Sequence, residues 1–126
     1  MEMYVYNTDY FKSSSELQNS IKNAVKNIFE RISQYEQQGV AFDKVFNDDK
    51  LKYDQYGDFY TYKYSRNTLQ LRVLYTYLIV NSVSVIVVVD FYVKKKNNKK
   101  YIKKFELIKD ENPKLIYEKS NFVAKF

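Results

Sequence analysis

Residues 69–93 read LQLRVLYTYLIVNSVSVIVVVDFYV, and this stretch decides the fold class. In its first half Leu71 and Val73 alternate with Gln70 and Arg72, and a period of two is typical of a β-strand. The second half is a run of β-branched residues, which also favours a strand. An Asn-Ser dipeptide separates the halves and predicts a tight turn. The stretch therefore predicts two antiparallel strands joined by a short connection.

Residues 74–93 are also largely apolar and long enough to span a membrane. Polar residues interrupt them, however, and the turn dipeptide splits them near the middle. The content of Val, Tyr and Thr favours strands in addition. We therefore expect a sheet at this place and no membrane partner.

The segment before this hairpin predicts a third strand. Tyrosines recur over residues 59–64, and Ser65-Arg66-Asn67 predicts the turn that leads into the next strand. The three strands then form an antiparallel meander. Alternation places Lys63 on the face opposite Tyr62 and Tyr64, and it places Arg72 opposite its apolar neighbours. Lys63 and Arg72 share a polar face if the hairpin register allows it.

A long amphipathic helix is predicted over residues 14–37, after a short first strand at 3–7. Ser13-Ser14-Ser15-Glu16 has the pattern of a capping box. Gly39 is a plausible C-cap. Apolar residues then recur at three- and four-residue steps: they are Leu17, Ile21, Ala24, Val25, Ile28, Phe29 and Ile32. Phe42 and Phe46, one helical turn apart, predict a further short helix.

After the meander the chain becomes strongly basic. Lys94-Lys95-Lys96-Asn97-Asn98-Lys99-Lys100 precedes apolar residues at helical spacing, and Pro113 is expected to end this short helix. Residues 114–126 fit a last strand, a docked helix or a partner-binding arm. The whole chain, residues 1–126, is predicted to be one α+β domain. In it, a small antiparallel sheet packs against the long N-terminal helix, and the short basic helix follows the last meander strand.

Composition limits the chemistry. The net charge is +6, and Lys and Arg outnumber Asp and Glu only in residues 63–126. We therefore expect a polyanionic partner for this half of the chain. The competing interpretation is a lysine-rich face that is simply exposed to solvent. The chain has no Cys and no His, which excludes disulfides, thiolate nucleophiles, zinc–thiolate sites and Ser-His dyads. We expect a reducing, cytoplasmic setting and no metal or other cofactor.

The order of elements resembles the RelE/HigB family of bacterial and phage toxins, within the RelE/ParE superfamily. Residues 69–75, the apolar strand at 85–91 and Lys94-Lys95-Lys96 are similar to the family's R-x-L/V-Y/F strand and its F-x-K-K segment. Residues 4–12 are similar to its first strand and helix entry. The resemblance implies a metal-independent endoribonuclease that cleaves mRNA, often on the ribosome, and that a cognate antitoxin neutralises. The chain lacks the His that related toxins often carry.

The resemblance also implies roles for individual residues. Arg72 would clamp a phosphate, and Lys63 would act as base or charge stabiliser. Tyr101 would stack on a base or donate a proton, although it also lies on the apolar stripe of its helix, so packing competes with that role. Lysines on the basic segment would contact RNA: Lys94, Lys95, Lys96, Lys99 and Lys100.

Two alternatives keep the fold without RNA cleavage. One is a toxin-like or phage protein that inhibits a host protein such as gyrase or another nucleic-acid enzyme. The other is a small RNA-binding accessory protein. The sequence leaves the oligomeric state open.

Overall fold

The structure, a computed structural model, describes residues 1–126. Its elements follow in chain order: β1 (Glu2–Val5), α1 (Asp9–Lys12), α2 (Ser15–Gln37), α3 (Phe42–Val45), β2 (Gln55–Tyr56), β3 (Phe59–Arg66), β4 (Leu69–Val80), β5 (Val83–Val93), α4 (Lys99–Glu106), α5 (Pro113–Glu118) and β6 (Asn121–Lys125).

The strands form one sheet in the order β2-β3-β4-β5-β1-β6. The predicted meander is its centre, and β3, β4 and β5 pair antiparallel. Strand β1 runs parallel to β5, whereas β6 pairs antiparallel with β1. The α+β class with a long N-terminal helix on a mostly antiparallel sheet is confirmed.

Each face of the sheet carries its own core. Helix α2 covers one face, where Ile28 and Phe29 belong to the same cluster of buried residues as Leu71 and Val73. Helices α4 and α5 cover the other face, where Phe105 and Ile116 join inward-facing residues of the strands. These strand residues are Phe59, Leu74, Val85, Val87 and Val89.

The long helix begins one residue later than the capping-box pattern implies. Ser14 is the N-cap, and its hydroxyl oxygen accepts from the Leu17 N–H at 3.1 Å. The Ser13 hydroxyl instead donates to the Asp9 carbonyl at 2.8 Å. Gly39 lies just past the C-cap with φ +73°, as its predicted role requires.

A β-bulge in β5 changes which side chains face α4. Leu74 pairs with Asp90, but Tyr75 pairs with Val88, so Val89 is an extra residue on β5. Val85, Val87 and Val89 face α4, and after the bulge Asp90 also faces it. The bulge thus keeps a carboxylate out of the α2 core.

In the chain that follows β5, the structure shows that the prediction for Pro113 was wrong, and it decides between the alternatives for residues 114–126. Pro113 does not end α4, which ends at Glu106; it is instead the first residue of α5, where a missing N–H costs nothing. Residues 114–126 form the rest of α5 and the strand β6, so they supply both a docked helix and a last strand. None of the helices combines the length and the apolar character needed to cross a membrane.

Candidate functional site

Lys63 and Arg72 lie directly opposite each other in the β3–β4 pair, and Tyr92 of β5 lies opposite Arg72. We call Lys63, Arg72 and Tyr92 the cationic row. It crosses three strands on the face that α4 covers, at the end of the sheet where β3 turns into β4. The register therefore brings together the two cations that the sequence placed on a shared polar face.

Arg72 is a buried cation without a carboxylate partner. It is 4% exposed, and its Nη1 donates only a long hydrogen bond of 3.4 Å to the Leu71 carbonyl. The ion pairs of the structure join Arg31 to Asp48 and Lys104 to Asp90, and neither includes the cationic row. A buried charge usually has a partner, because desolvation costs several kcal/mol (about 3–5 for a broken buried pair).

Tyr53 covers both cations of the row. Its ring centroid lies 5.2 Å from the Lys63 ammonium nitrogen and 5.3 Å from the Arg72 guanidinium carbon. Such distances permit a cation–π attraction, which offsets part of the desolvation of Arg72. Tyr53 is 51% exposed and belongs to no helix or strand. A half-exposed aromatic side chain from an irregular segment thus lies over both cations.

The ring of Tyr101 packs against Tyr92 of the cationic row. Its ring stacks on Tyr92 with centroids 4.8 Å apart and planes 12° apart, and Phe105 contacts Tyr92 from the next turn of α4. Burial raises the pKa of Tyr92, and the positive charge of Arg72 only partly opposes this. The Tyr92 phenol therefore stays protonated at neutral pH and can donate a hydrogen bond but not accept a proton as a base.

The predicted RNA-binding lysines form a border beside the row. The Lys94 N–H donates to the Gln70 carbonyl at 2.8 Å, which extends the β5 ladder by one residue. Alternation then places Lys94 on the same face as Tyr92. The side chain of Asn98 closes the following loop by two hydrogen bonds to the backbone of Lys95. The exposed lysines beyond this point are Lys95 and Lys96 in the loop, and Lys99 and Lys100 in the first turn of α4.

A second group of polar residues was missed from the sequence. Asp90, 7% exposed, accepts from the Asn7 amide nitrogen at 2.9 Å and from the Phe91 N–H at 2.8 Å, and the Lys104 ammonium lies 3.6 Å from its other oxygen. Asn7 and Asp90 are 83 residues apart in the sequence, so no local sequence motif predicts their contact. The parallel pairing of β1 with β5 creates it.

Known protein families, curated proteins and solved structures give no match to this chain. No group of three or more acidic side chains is arranged to hold a metal ion. The features that bear on function are therefore the cationic row and the group around Asp90.

Proposed function

We propose that this protein is a metal-independent endoribonuclease of the toxin kind, which binds single-stranded RNA across the cationic row. The observation that carries the proposal is the direct pairing of Lys63 with Arg72, two cations that form no ion pair with a carboxylate. A phosphate is the ligand that such a pair lacks.

Charge and geometry favour a phosphate over a carboxylic acid on a protein partner. The guanidinium of Arg72 offers parallel N–H donors to two oxygens of one phosphate, and Lys63 adds a point charge from the neighbouring strand. Lys94 extends the positive surface along the same face, and further lysines follow it. A backbone with one negative charge per nucleotide can meet these cations in succession, and its affinity then depends strongly on salt.

The aromatic rings favour a single strand over a duplex. Tyr53 lies directly at the two cations, and Tyr92 and Tyr101 lie beside them. Bases that are free of pairing stack on such rings, whereas bases in an RNA duplex are not accessible to them. Cations at the centre with rings around them suit one strand whose backbone faces the row.

The proposed cleavage follows the chemistry that the resemblance implies. The ribose 2′-hydroxyl attacks the adjacent phosphorus as the bond from phosphorus to the departing 5′-oxygen breaks. The hydroxyl proton passes to Lys63 if that amine is the base, and to water if Lys63 is the charge stabiliser. Arg72 stabilises the charge on the crowded phosphate in either case. Tyr101 is proposed to donate a proton to the departing oxygen or to stack a base. The mRNA on the ribosome is the proposed substrate in the cytoplasm, and an antitoxin that covers the basic surface is the proposed inhibitor.

The test uses the full chain expressed from a tightly controlled promoter in bacteria, with mapping of RNA 5′ ends. Growth arrest with new ends at defined codon positions is expected for the wild type. Lys63→Ala should abolish both effects. Arg66→Ala is the matched control, because Arg66 is an exposed cation of the same strand that lines a pocket on the α2 face with Glu16.

Lys63→Arg separates the two roles proposed for Lys63. Arginine keeps the charge but does not release its proton in proteins, so retained cleavage identifies a charge stabiliser and lost cleavage identifies a base. Equal cleavage by Lys63→Ala and Arg66→Ala would refute the proposed site. Arrest with intact messages would instead favour the inhibitor of a host protein.

A further inference from the structure

A separate cleft of about 650 Å³ lies beside α4, at the carboxyl end of β1. Its floor includes Asp90 and Asn7, and Lys104 stands at its side. Neither Lys63 nor Arg72 lines it. The volume is that of a site for a small organic ligand. The cleft is thus a second place where chemistry can occur, independent of the cationic row.

One oxygen of the Asp90 carboxylate is available to a ligand. Oδ1 already accepts from Asn7 and from the Phe91 N–H. Oδ2 has only the Lys104 ammonium, at 3.6 Å, which is longer than a hydrogen bond. The side chain is 10% exposed, so water reaches Oδ2 little, and an acceptor in this position gains from a donor that a ligand brings.

The charges of the cleft favour a neutral ligand. The Lys104 ammonium neutralises Asp90, and at the rim the cation Lys119 is matched by the acid Glu111. A cationic ligand would compete with Lys104, and an anionic one would meet Asp90. A neutral group with a donor beside an acceptor satisfies both members of the pair, since its donor meets Asp90 and its acceptor meets Lys104.

The walls of the cleft are apolar. Leu74 and Val89 contribute from the sheet, and Leu107 and Ile108 contribute from the segment that follows α4. Leu107 is 79% exposed, so a ligand that covers it would gain from the burial of its side chain. A flat ring between these aliphatic groups would bury them while its polar edge meets the Asp90–Lys104 pair.

We propose that this cleft binds a guanine base. The N1–H and the amino group of guanine both donate to Oδ2 of Asp90, the oxygen that Asn7 and the Phe91 N–H leave free, and the adjacent O6 accepts from the Lys104 ammonium. Adenine and cytosine present a single amino group beside a ring nitrogen, and uracil presents one N–H between two carbonyls. Guanine alone offers two neighbouring donors next to an acceptor. The base belongs either to RNA or to a free nucleotide, because the recognised chemistry is the same.

The test titrates the full-length protein with GMP, AMP, CMP and UMP by calorimetry. GMP should bind with a dissociation constant below the millimolar range and about tenfold or more tightly than the others. Lys104→Gln should weaken GMP about tenfold, whereas Lys103→Gln, the neighbouring lysine that does not line the cleft, should leave it unchanged. Asp90→Asn should remove the preference for guanine; thermal unfolding checks that this buried variant still folds.

Titrations with short single-stranded RNAs that contain or lack guanine identify the source of the base. Competition between GMP and the guanine-containing RNA places both in the cleft, and binding of GMP alone identifies a free nucleotide. Equal affinity for the four nucleotides, absence of saturation by GMP and by RNA, or equal losses in Lys103→Gln and Lys104→Gln would overturn the inference. Lys63→Ala separates it from the proposed cleavage: lost cleavage with intact GMP binding shows two sites.

Discussion

Lys63 and Arg72 are direct cross-strand partners, so two positive side chains face each other across β3 and β4. Like charges in this position destabilise an antiparallel pair. Arg72 is also buried, and it forms no ion pair with a carboxylate. Folding alone does not favour such an arrangement. A bound phosphate would supply the missing negative charge, and this is the physical link between the fold and the proposed function.

The first prediction is that Arg72→Met stabilises the protein. Methionine fills a similar volume, removes the repulsion of Lys63 and needs no counter-ion, so the free energy of unfolding should rise by about 1 kcal/mol. Urea denaturation measures the change, and Arg66→Met should stay within about 0.5 kcal/mol of the wild type as an exposed control. The same Arg72 variant should lose RNA affinity. A clear loss of stability would show that Arg72 has a structural role instead.

The second prediction concerns the packing of α4 and compares two glycines. Gly57 and Gly39 both have positive φ, +61° and +73°. A Cβ at Gly57 would come within 2.1 Å of the Lys109 carbonyl oxygen, whereas nothing lies within 4 Å at Gly39. Gly39→Ala should therefore cost only the backbone strain, about 1 kcal/mol. Gly57→Ala should cost about 1–3 kcal/mol more, because the backbone at Lys109, in the segment that follows α4, must shift.

Chemical denaturation of both variants checks this difference. Hydrogen exchange adds a local readout, since α4 should lose protection in Gly57→Ala and keep it in Gly39→Ala. Equal destabilisation by the two substitutions would mean that the 57–109 contact does not hold α4 in place.

The third prediction is a loss of stability at acid pH through Asp48. Burial raises the pKa of this carboxyl, but hydrogen bonds from Tyr35 and Arg31 outweigh burial, so the pKa lies below its ordinary value of 3.8. The unfolded chain then binds the proton more readily than the folded one. The stabilisation is thus complete at neutral pH, begins to be lost as the pH approaches 3.8, and is gone below the folded pKa.

Asp48→Asn tests this contribution. It should lower the free energy of unfolding by about 1–2 kcal/mol at neutral pH and make it less dependent on pH in the acid range. Asp49→Asn is the matched control, because Asp49 is exposed and lies one residue further on. Parallel pH profiles for Asp48→Asn and the wild type would exclude the proposed role of Asp48.

Local patterns were sufficient for the central elements of the fold. Asn81 and Ser82 both adopt positive φ, 50° and 65°, as a two-residue hairpin turn requires, and the dipeptide alone predicted that turn. The apolar stripe of α2 likewise predicted its buried face. The position of Pro113 was misjudged because proline both ends helices and begins them, and only the neighbouring chain decides which.

The two sites differ in how far the sequence could predict them. Alternation put Lys63 and Arg72 on polar faces, and the register of one hairpin was enough to bring them together. The Asp90 site depends on a bulge at Val89 and on the pairing of β1 with β5, two non-local features. Strict alternation through β5 would have placed Asp90 on the same face as Val88, towards α2. A bulge has no signature in a run of valines, so the contact of Asp90 with Asn7 could not be foreseen.

The last prediction separates the two roles of Tyr101. Its ring stacks on Tyr92, whereas nothing in the structure accepts a hydrogen bond from its hydroxyl. Tyr101→Phe should therefore leave the free energy of unfolding within about 0.5 kcal/mol of the wild type, while Tyr101→Leu should lower it by about 1 kcal/mol through loss of the stacked ring pair. If the hydroxyl donates the proton to the leaving oxygen, Tyr101→Phe should slow RNA cleavage about a hundredfold without weakening RNA binding. Single-turnover cleavage and binding of the same labelled RNA give the two numbers. An unchanged cleavage rate in Tyr101→Phe, with a reduced affinity in Tyr101→Leu, would assign Tyr101 to stacking and leave the proton donor to another group.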